Sequence, residues 1–211
     1  NTRLMTLQNG AGHEDLLKEF VDEDHIVIGT TEDNGAVLGM GHVRRGGTGV
    51  TNVGMLVEDK EGFLPQLKEA FDQCGFNVKI HENIQNLIWD KLFTNVSLSA
   101  LTGVLQVDMG YIAANEYAWD LCCQLIHETV KTAAAAGLNF DEEKVREKVK
   151  NTSINNPNGC TSIRADLRDG RRTEVDTISG AVVRAAHKYG VEVPGHECIV
   201  RLVHAMEGRN K

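Results

Sequence analysis

Excess positive charge, long apolar runs and paired cysteines are all scarce in this 211-residue chain. Its 22 Lys and Arg face 30 Asp and Glu, for a net charge of −8 and a pI near 5.5. Arg44-Arg45 and Arg171-Arg172 are isolated pairs, too short to form the basic face that neutralises nucleic-acid phosphates. No apolar stretch approaches the ~18 residues of a membrane-spanning helix. The five cysteines form no C-x-x-C pair and no His/Cys cluster with zinc spacing, so no metal site is expected and a reducing cytoplasm fits best. Adjacent Cys122 and Cys123 read as packed thiols. His127, His187 and His204 lie on amphipathic stretches, where a solvated or core role is the default.

What is present divides into two textures. Up to about residue 82, extended runs alternate with helices. Leu4 to Leu7 and His25 to Thr30 read as strands around a helix from His13 to Phe20, a β-α-β pattern. Gly35 to Arg44 and Gly49 to Leu56 read as one hairpin joined through Arg45-Gly46-Gly47-Thr48. Gly62 to Cys74 reads as an amphipathic helix stopped by Gly75, and Phe76 to Ile80 as a last strand. From Asn83 onward the periodicity is helical throughout: 84–106, 116–136, 141–150, 160–168, 174–189 and 195–207. The expected fold is α/β followed by all-α, with domains at 1–82 and 83–211 and a ligand cleft between them.

Three groups of residues could carry chemistry. Lys91, Asn95 and Ser99 recur at i, i+4 and i+8 in a helix that is otherwise apolar on nearly every side. A protonated lysine there polarises a carbonyl and delivers a proton, with an amide one turn away to hold it; the bland account is a packed stem whose amine reaches water. Asn95, mid-helix among apolar residues, needs partners or costs about 1–3 kcal/mol. Second, Ser162 precedes Asp166 by one turn, and Thr173-Glu174-Val175-Asp176 fits a helix start. Glu174 is then either a site carboxylate or a first-turn acid stabilised by the helix dipole. Third, Gln8-Asn9-Gly10 follows the first strand, where open α/β sheets bind ligands, although Asn-Gly is also simply a turn. Gly39-Met40-Gly41 and Gly46-Gly47-Thr48-Gly49 lack the G-x-G-x-x-G pattern and read as hairpin glycines.

Leu7-Gln-Asn-Gly-Ala-Gly12, Gly49-Val-Thr-Asn-Val-Gly54, Trp89-Asp-Lys-Leu-Phe-Thr-Asn95, Thr161-Ser162 with Asp166, Arg172-Thr-Glu-Val-Asp176 and Tyr189-Gly-Val-Glu-Val-Pro194 occur together in this order. The chain thereby resembles the ketopantoate reductase (2-dehydropantoate 2-reductase) family along essentially its whole length. The resemblance implies part of a Rossmann-like dinucleotide domain followed by a helical domain of the 6-phosphogluconate dehydrogenase C-terminal type. It also implies NADPH-dependent reduction of ketopantoate to pantoate, in pantothenate biosynthesis. A truncated sheet would leave an unpaired edge that another chain can cover, as in a homodimer. By motif, Lys91 is the general acid. Asn95 binds substrate oxygens, Ser162 the substrate carboxylate, and Glu174 the substrate or the cofactor ribose. Asn9 lies by the nicotinamide.

Two positions depart from the family pattern. Ser99 stands where an asparagine is frequent, and Gly159 stands nearest to a substrate-contacting asparagine, with Asn158 adjacent as a substitute. Both bear on substrate identity, so another branched or aromatic 2-oxo acid is the first alternative. The family's glycine-rich fingerprint and the basic residues selecting NADP are expected upstream of Asn1, which implies an N-terminally truncated chain that alone binds cofactor poorly. A non-catalytic binding or oligomerisation module is the second alternative. The joint presence of Lys91, Asn95, Ser162 and Glu174 argues against it.

Overall fold

The computed structural model describes residues 2–210. It divides into two compact units. The first contains the described residues up to Gln8 and Gly12–Ile88, and the second contains Asn9–Ala11 and the described residues from Trp89 onward.

The first unit is built on a mixed four-stranded sheet. Strands β1 (Leu4–Thr6) and β2 (Ile26–Thr31) run parallel, with α1 (His13–Leu17) on the connection between them. β2 pairs antiparallel with β5 (Val50–Met55), and β5 pairs parallel with β6 (Asn77–Ile80), giving the order β1-β2-β5-β6. β2 is an unbroken buried run, Ile26-Val27-Ile28, as expected of a strand covered on both faces. Helix α2 (Phe63–Gln73) spans the β5-to-β6 crossover. Its Leu64 joins Val27, Val53, Met55 and Val78 in one core, with Leu67 and Phe71 packed alongside. The helix stops at Gly75, whose φ of +87° suits a residue without a Cβ.

The single long hairpin expected from residues 35–56 does not form. The run from Gly35 folds on itself at Met40-Gly41, pairing β3 (Gly35–Gly39) with β4 (His42–Arg45), while β5 joins β2. Gly41 at φ +70° supplies the tight turn that the longer reading overlooked. Asn34 closes the neck: its carbonyl accepts from Gly46 N at 2.8 Å and its side chain from Gly47 N at 3.0 Å. A Cβ on Gly46 would lie 1.6 Å from Asn34 Oδ1, so these glycines serve the neck rather than cradle a phosphate.

The second unit is helical. The expected helix over 84–106 is three pieces: α3 (Ile84–Thr94), a π-helical turn (Asn95–Ser99) and α4 (Ala100–Leu105). Then follow α5 (Met109–Ala114), which periodicity did not reveal, α6 (Glu116–Ala135), α7 (Glu142–Asn155), α8 (Ser162–Arg168), α9 (Ser179–Tyr189) and α10 (Pro194–Glu207). Two polar pins fix their packing. Thr102 and Thr161 hydroxyls meet at 2.8 Å where α4 approaches α8, so closely that a Cβ on Gly103 would lie 2.4 Å from Ile163 Cγ2. The Glu128 carboxylate, buried on α6, accepts from Gly195 N at 2.9 Å and His196 N at 3.1 Å, satisfying free amides in the first turn of α10. None of the helices among the described residues is long and apolar enough to cross a membrane.

The segment Asn9–Ala11 packs with the helical unit. Ala11 N donates to Thr177 O at 3.1 Å. Gly10 has φ +103°, and a Cβ there would lie 1.8 Å from that same carbonyl. Only glycine meets both conditions.

Two predictions arise from this packing. Gly10→Ala should destabilise the protein by about 2–4 kcal/mol, combining left-handed strain with overpacking, and should expose the Ala11 amide to hydrogen exchange. An unchanged urea midpoint would contradict it. The second concerns His196, fully buried, with Nε2 2.9 Å from Thr129 Oγ1 and 3.0 Å from Leu125 O. Its Nδ1 is buried without a partner, and burial pushes its pKa below the ordinary value of 6.5. The unfolded chain then binds the proton more readily, so stability falls as pH drops below 6.5, by up to about 1.4 kcal/mol per pH unit for one group. His196→Gln should flatten that acid slope in urea titrations; an identical slope would sink the assignment.

Candidate active site

Lys91 lies in the last turn of α3 and Asn95 begins the π-helical turn; both are half-buried. The π turn alters the geometry expected of the polar stripe. In an α-helix each step of four residues overshoots a full turn by about 40°. With i→i+5 bonding a step of four falls short of one, so the π turn brings Ser99 back toward the direction of Lys91. Ser97 donates to Phe93 O at 2.6 Å and Thr102 to Leu98 O at 2.7 Å, hydroxyl back-bonds that accompany the altered ladder. Ser99 itself is only 6% exposed, which places it in the packing rather than on an open face.

Ser162 is the first residue of α8 and is exposed. Its neighbour Thr161 caps the helix, accepting from Arg164 N at 3.4 Å, and is the residue pinned to Thr102. The start of α8 is thus tied one turn beyond Ser99. Asn158 is exposed in the loop before it, and Asp166 pairs with Arg171 at 2.9 Å. Gly159, where the family pattern suggested an asparagine, is tightly packed: a Cβ there would lie 2.6 Å from Met109 Sδ and 3.0 Å from Asn156 O, so a side chain would require Met109 to move.

Glu174 is not in the first turn of a helix. α9 begins only at Ser179, and residues 174–178 form an irregular turn in which Thr177 N and Ile178 N both donate to Glu174 O at 3.1 Å. The expected capping box fails because Thr173 is engaged elsewhere. Its N–H and hydroxyl both donate to Glu207 Oε1, at 2.7 and 2.8 Å, while its hydroxyl accepts from Val175 N at 3.2 Å. The helix-dipole account of Glu174 therefore has no structural basis. Its carboxylate instead accepts from Asn9 Nδ2 at 3.2 Å. Residues 165 positions apart, read separately from the sequence, meet directly.

All seven candidate residues, Asn9, Lys91, Asn95, Ser99, Asn158, Ser162 and Glu174, belong to the second unit. Direct hydrogen bonding joins Asn9 to Glu174, and the threonine pin links the segment of Ser162 to that of Ser99. The sequence did not reveal the residues behind Glu174, namely Thr173, Asp176, His204 and Glu207. Periodicity places His204 and Glu207 three apart on one helix but does not say what they touch. Among the described residues no group of three or more His, Cys, Asp or Glu is placed to hold a metal ion.

The second unit thus carries an amine, amides, a serine hydroxyl and a carboxylate, groups that can protonate and orient a small oxygen-rich anion, and among them Asn9 and Glu174 are in direct contact. Comparison with known proteins identifies the family. The family model described as ketopantoate reductase PanE/ApbA C terminal matches residues 83–207, and that described as ketopantoate reductase PanE/ApbA matches residues 1–58. The 2-dehydropantoate 2-reductase of Streptococcus pyogenes serotype M6 is 29% identical over 207 residues, covering 98% of this chain and 67% of the relative. That of Halobacterium salinarum is 30% identical over 200 residues, covering 95% and 66%. Among solved structures, a complex of D-mandelate dehydrogenase with NADH superimposes with a TM-score of 0.91 at 29% identity, covering 100% of this chain and 71% of that one. The chain thus spans about two thirds of the length of its relatives. It belongs to the ketopantoate reductase PanE/ApbA family of oxidoreductases.

Proposed function

We propose that this chain carries the substrate-binding and proton-donating residues of an NADPH-dependent 2-oxo acid reductase, with 2-dehydropantoate as substrate and pantoate as product. The observation that carries this reading is the Asn9–Glu174 contact, in the same unit as half-buried Lys91 and Asn95. It joins the Asn9–Ala11 segment to the late helical region in a family whose named relatives are 2-dehydropantoate 2-reductases.

In this reading the Lys91 ammonium donates a proton to the substrate's carbonyl oxygen as that oxygen gains negative charge. The step completes conversion of C=O to CH–OH and leaves the amine neutral. Asn95 supplies amide hydrogen bonds to the substrate oxygens and to Lys91. The Ser162 hydroxyl donates to the substrate carboxylate, with Asn158 nearby for its hydroxyl-bearing end. Ser99 supports Asn95 from within the packing. Glu174 accepts from a hydroxyl of the substrate or of the cofactor ribose, and Asn9 holds that carboxylate in place.

The donor set at Asn9 and Glu174, one amide and one carboxylate, fits the hydroxyls and carboxamide of a nicotinamide riboside. Nicotinamide dinucleotide, when bound, supplies the hydride. NADPH is proposed over NADH, although the similar D-mandelate dehydrogenase complexes contain NADH; the kcat/KM ratio for the two cofactors decides. Those complexes also favour a second reading, in which the substrate is an aromatic 2-oxo acid. Gly159, standing where the family pattern suggests an asparagine, is compatible with that change at the substrate's distal end. The five cysteines are all free, which supports a reducing cytoplasmic location.

Two substitutions test this in the full reading frame that carries the chain. Lys91→Ala should lower kcat by roughly 10²–10⁴-fold with 2-dehydropantoate, the usual loss for a positioned proton donor; normal turnover would dismiss Lys91 as the acid. Glu174→Ala should act mainly on KM for substrate or cofactor. A KM equal to that of the unaltered enzyme would remove Glu174 from the site.

A further inference from the structure

The turn that presents Glu174 is held from behind by one helix. On α10, His204 Nδ1 lies 2.9 Å from Glu207 Oε2, and His204 Nε2 lies 2.9 Å from Asp176 Oδ1. Glu207 Oε1 meanwhile accepts both the N–H and the hydroxyl of Thr173. Thr173 and Asp176 flank Glu174, so both sides of the turn are tied to α10. Further support comes from Arg184 Nη1, which donates to Asp176 O at 2.8 Å, and Arg172, which pairs with Asp176 Oδ2 at 3.3 Å.

Both ring nitrogens of His204 face carboxylate oxygens, which only accept. The neutral imidazole has one N–H and satisfies one of them; the imidazolium satisfies both. Glu207 on the same helix and Asp176 from the turn are the charged groups facing the ring, with Arg172 and Arg184 on the far side of Asp176. The contact with Glu207, against a smaller cost of burial and aided by Asp176, raises the His204 pKa above 6.5. Burial works against the charge on Glu207, but the Thr173 and His204 hydrogen bonds outweigh it and lower its pKa below 4.5.

We propose that His204 is a positioning residue: doubly bonded between Glu207 and Asp176, it holds the 173–178 turn so that Glu174 meets its ligand. This rests on the reading that Glu174 contacts substrate or cofactor. When His204 loses its proton, the ring can donate to only one of the two carboxylates, so its tie to Asp176 weakens and that side of the turn loosens while Thr173 stays on Glu207. Ligand binding then weakens as pH rises above 6.5 through the raised pKa, while the Lys91 proton transfer is spared. The sign follows from linkage, because a group held protonated by the folded state contributes below its unfolded pKa and is lost above its folded one.

The test begins without ligand. In ¹H–¹³C spectra of the 211-residue chain, the His204 ring should titrate above the ordinary imidazole range, and the amides of residues 174–178 should shift with the same midpoint. Glu207→Gln keeps an acceptor for Thr173 but removes the charge, so it should bring that midpoint down. A His204 midpoint at or below 6.5, or amides that ignore it, would overturn the proposal. In the full reading frame, His204→Gln should raise KM about tenfold at pH 6.5, the equivalent of one hydrogen bond to a charged group, with kcat nearly unchanged. It should also abolish the alkaline rise in KM. A variant that lowers kcat but leaves KM and its pH profile intact refutes positioning. Glu174→Ala separates the two ideas: if it leaves KM unchanged while the amides still follow His204, the role given to Glu174 fails and the coupling of His204 to the turn stands.

Discussion

The candidate site depends on one close approach, that of Gly10 to the carbonyl of Thr177. With no side chain at position 10, the Ala11 amide reaches Thr177, and the neighbouring Asn9 amide reaches Glu174. A segment that follows the first strand is thereby bound to a turn 165 residues later. Without that approach, Glu174 would lose its amide partner.

Polar groups in the helical unit act as locating pins rather than as bulk stabilisation. The Thr102–Thr161 hydroxyl pair fixes where α8 starts, and hence where Ser162 stands. Glu128 fixes where α10 starts, and α10 in turn carries His204 and Glu207 to the back of the 173–178 turn. A buried donor or acceptor tolerates only a narrow range of partner positions, so such pairs set register where apolar packing would permit sliding. Candidate site residues and structural polar residues here lie one position apart: Thr161 beside Ser162, Thr173 beside Glu174.

What was legible in the sequence follows from periodicity and from glycine. The buried run Ile26-Val27-Ile28, the helix closed by Gly75 and the all-helical texture after residue 83 were readable because each is a local pattern. The misread hairpin shows the limit: several glycines shared one stretch, and only the left-handed geometry at Gly41 decides which of them turns the chain. The π turn was illegible because its sequence is compatible with an unbroken helix. Lys91 and Asn95 could be singled out as polar residues in apolar surroundings. Glu174 could not be freed from its helix-start reading, since the reason lies in Glu207 capturing Thr173 from another helix. Long-range capture of this kind leaves no periodic trace.

The tight seat of Gly103 against Ile163 has an evolutionary corollary. Each position limits the volume the other can adopt, so a lineage that enlarges one must first, or simultaneously, shrink its counterpart. Because Ile163 immediately follows Ser162, such paired drift would reach the start of α8, making the stance of that serine hostage to a size exchange between two packed neighbours.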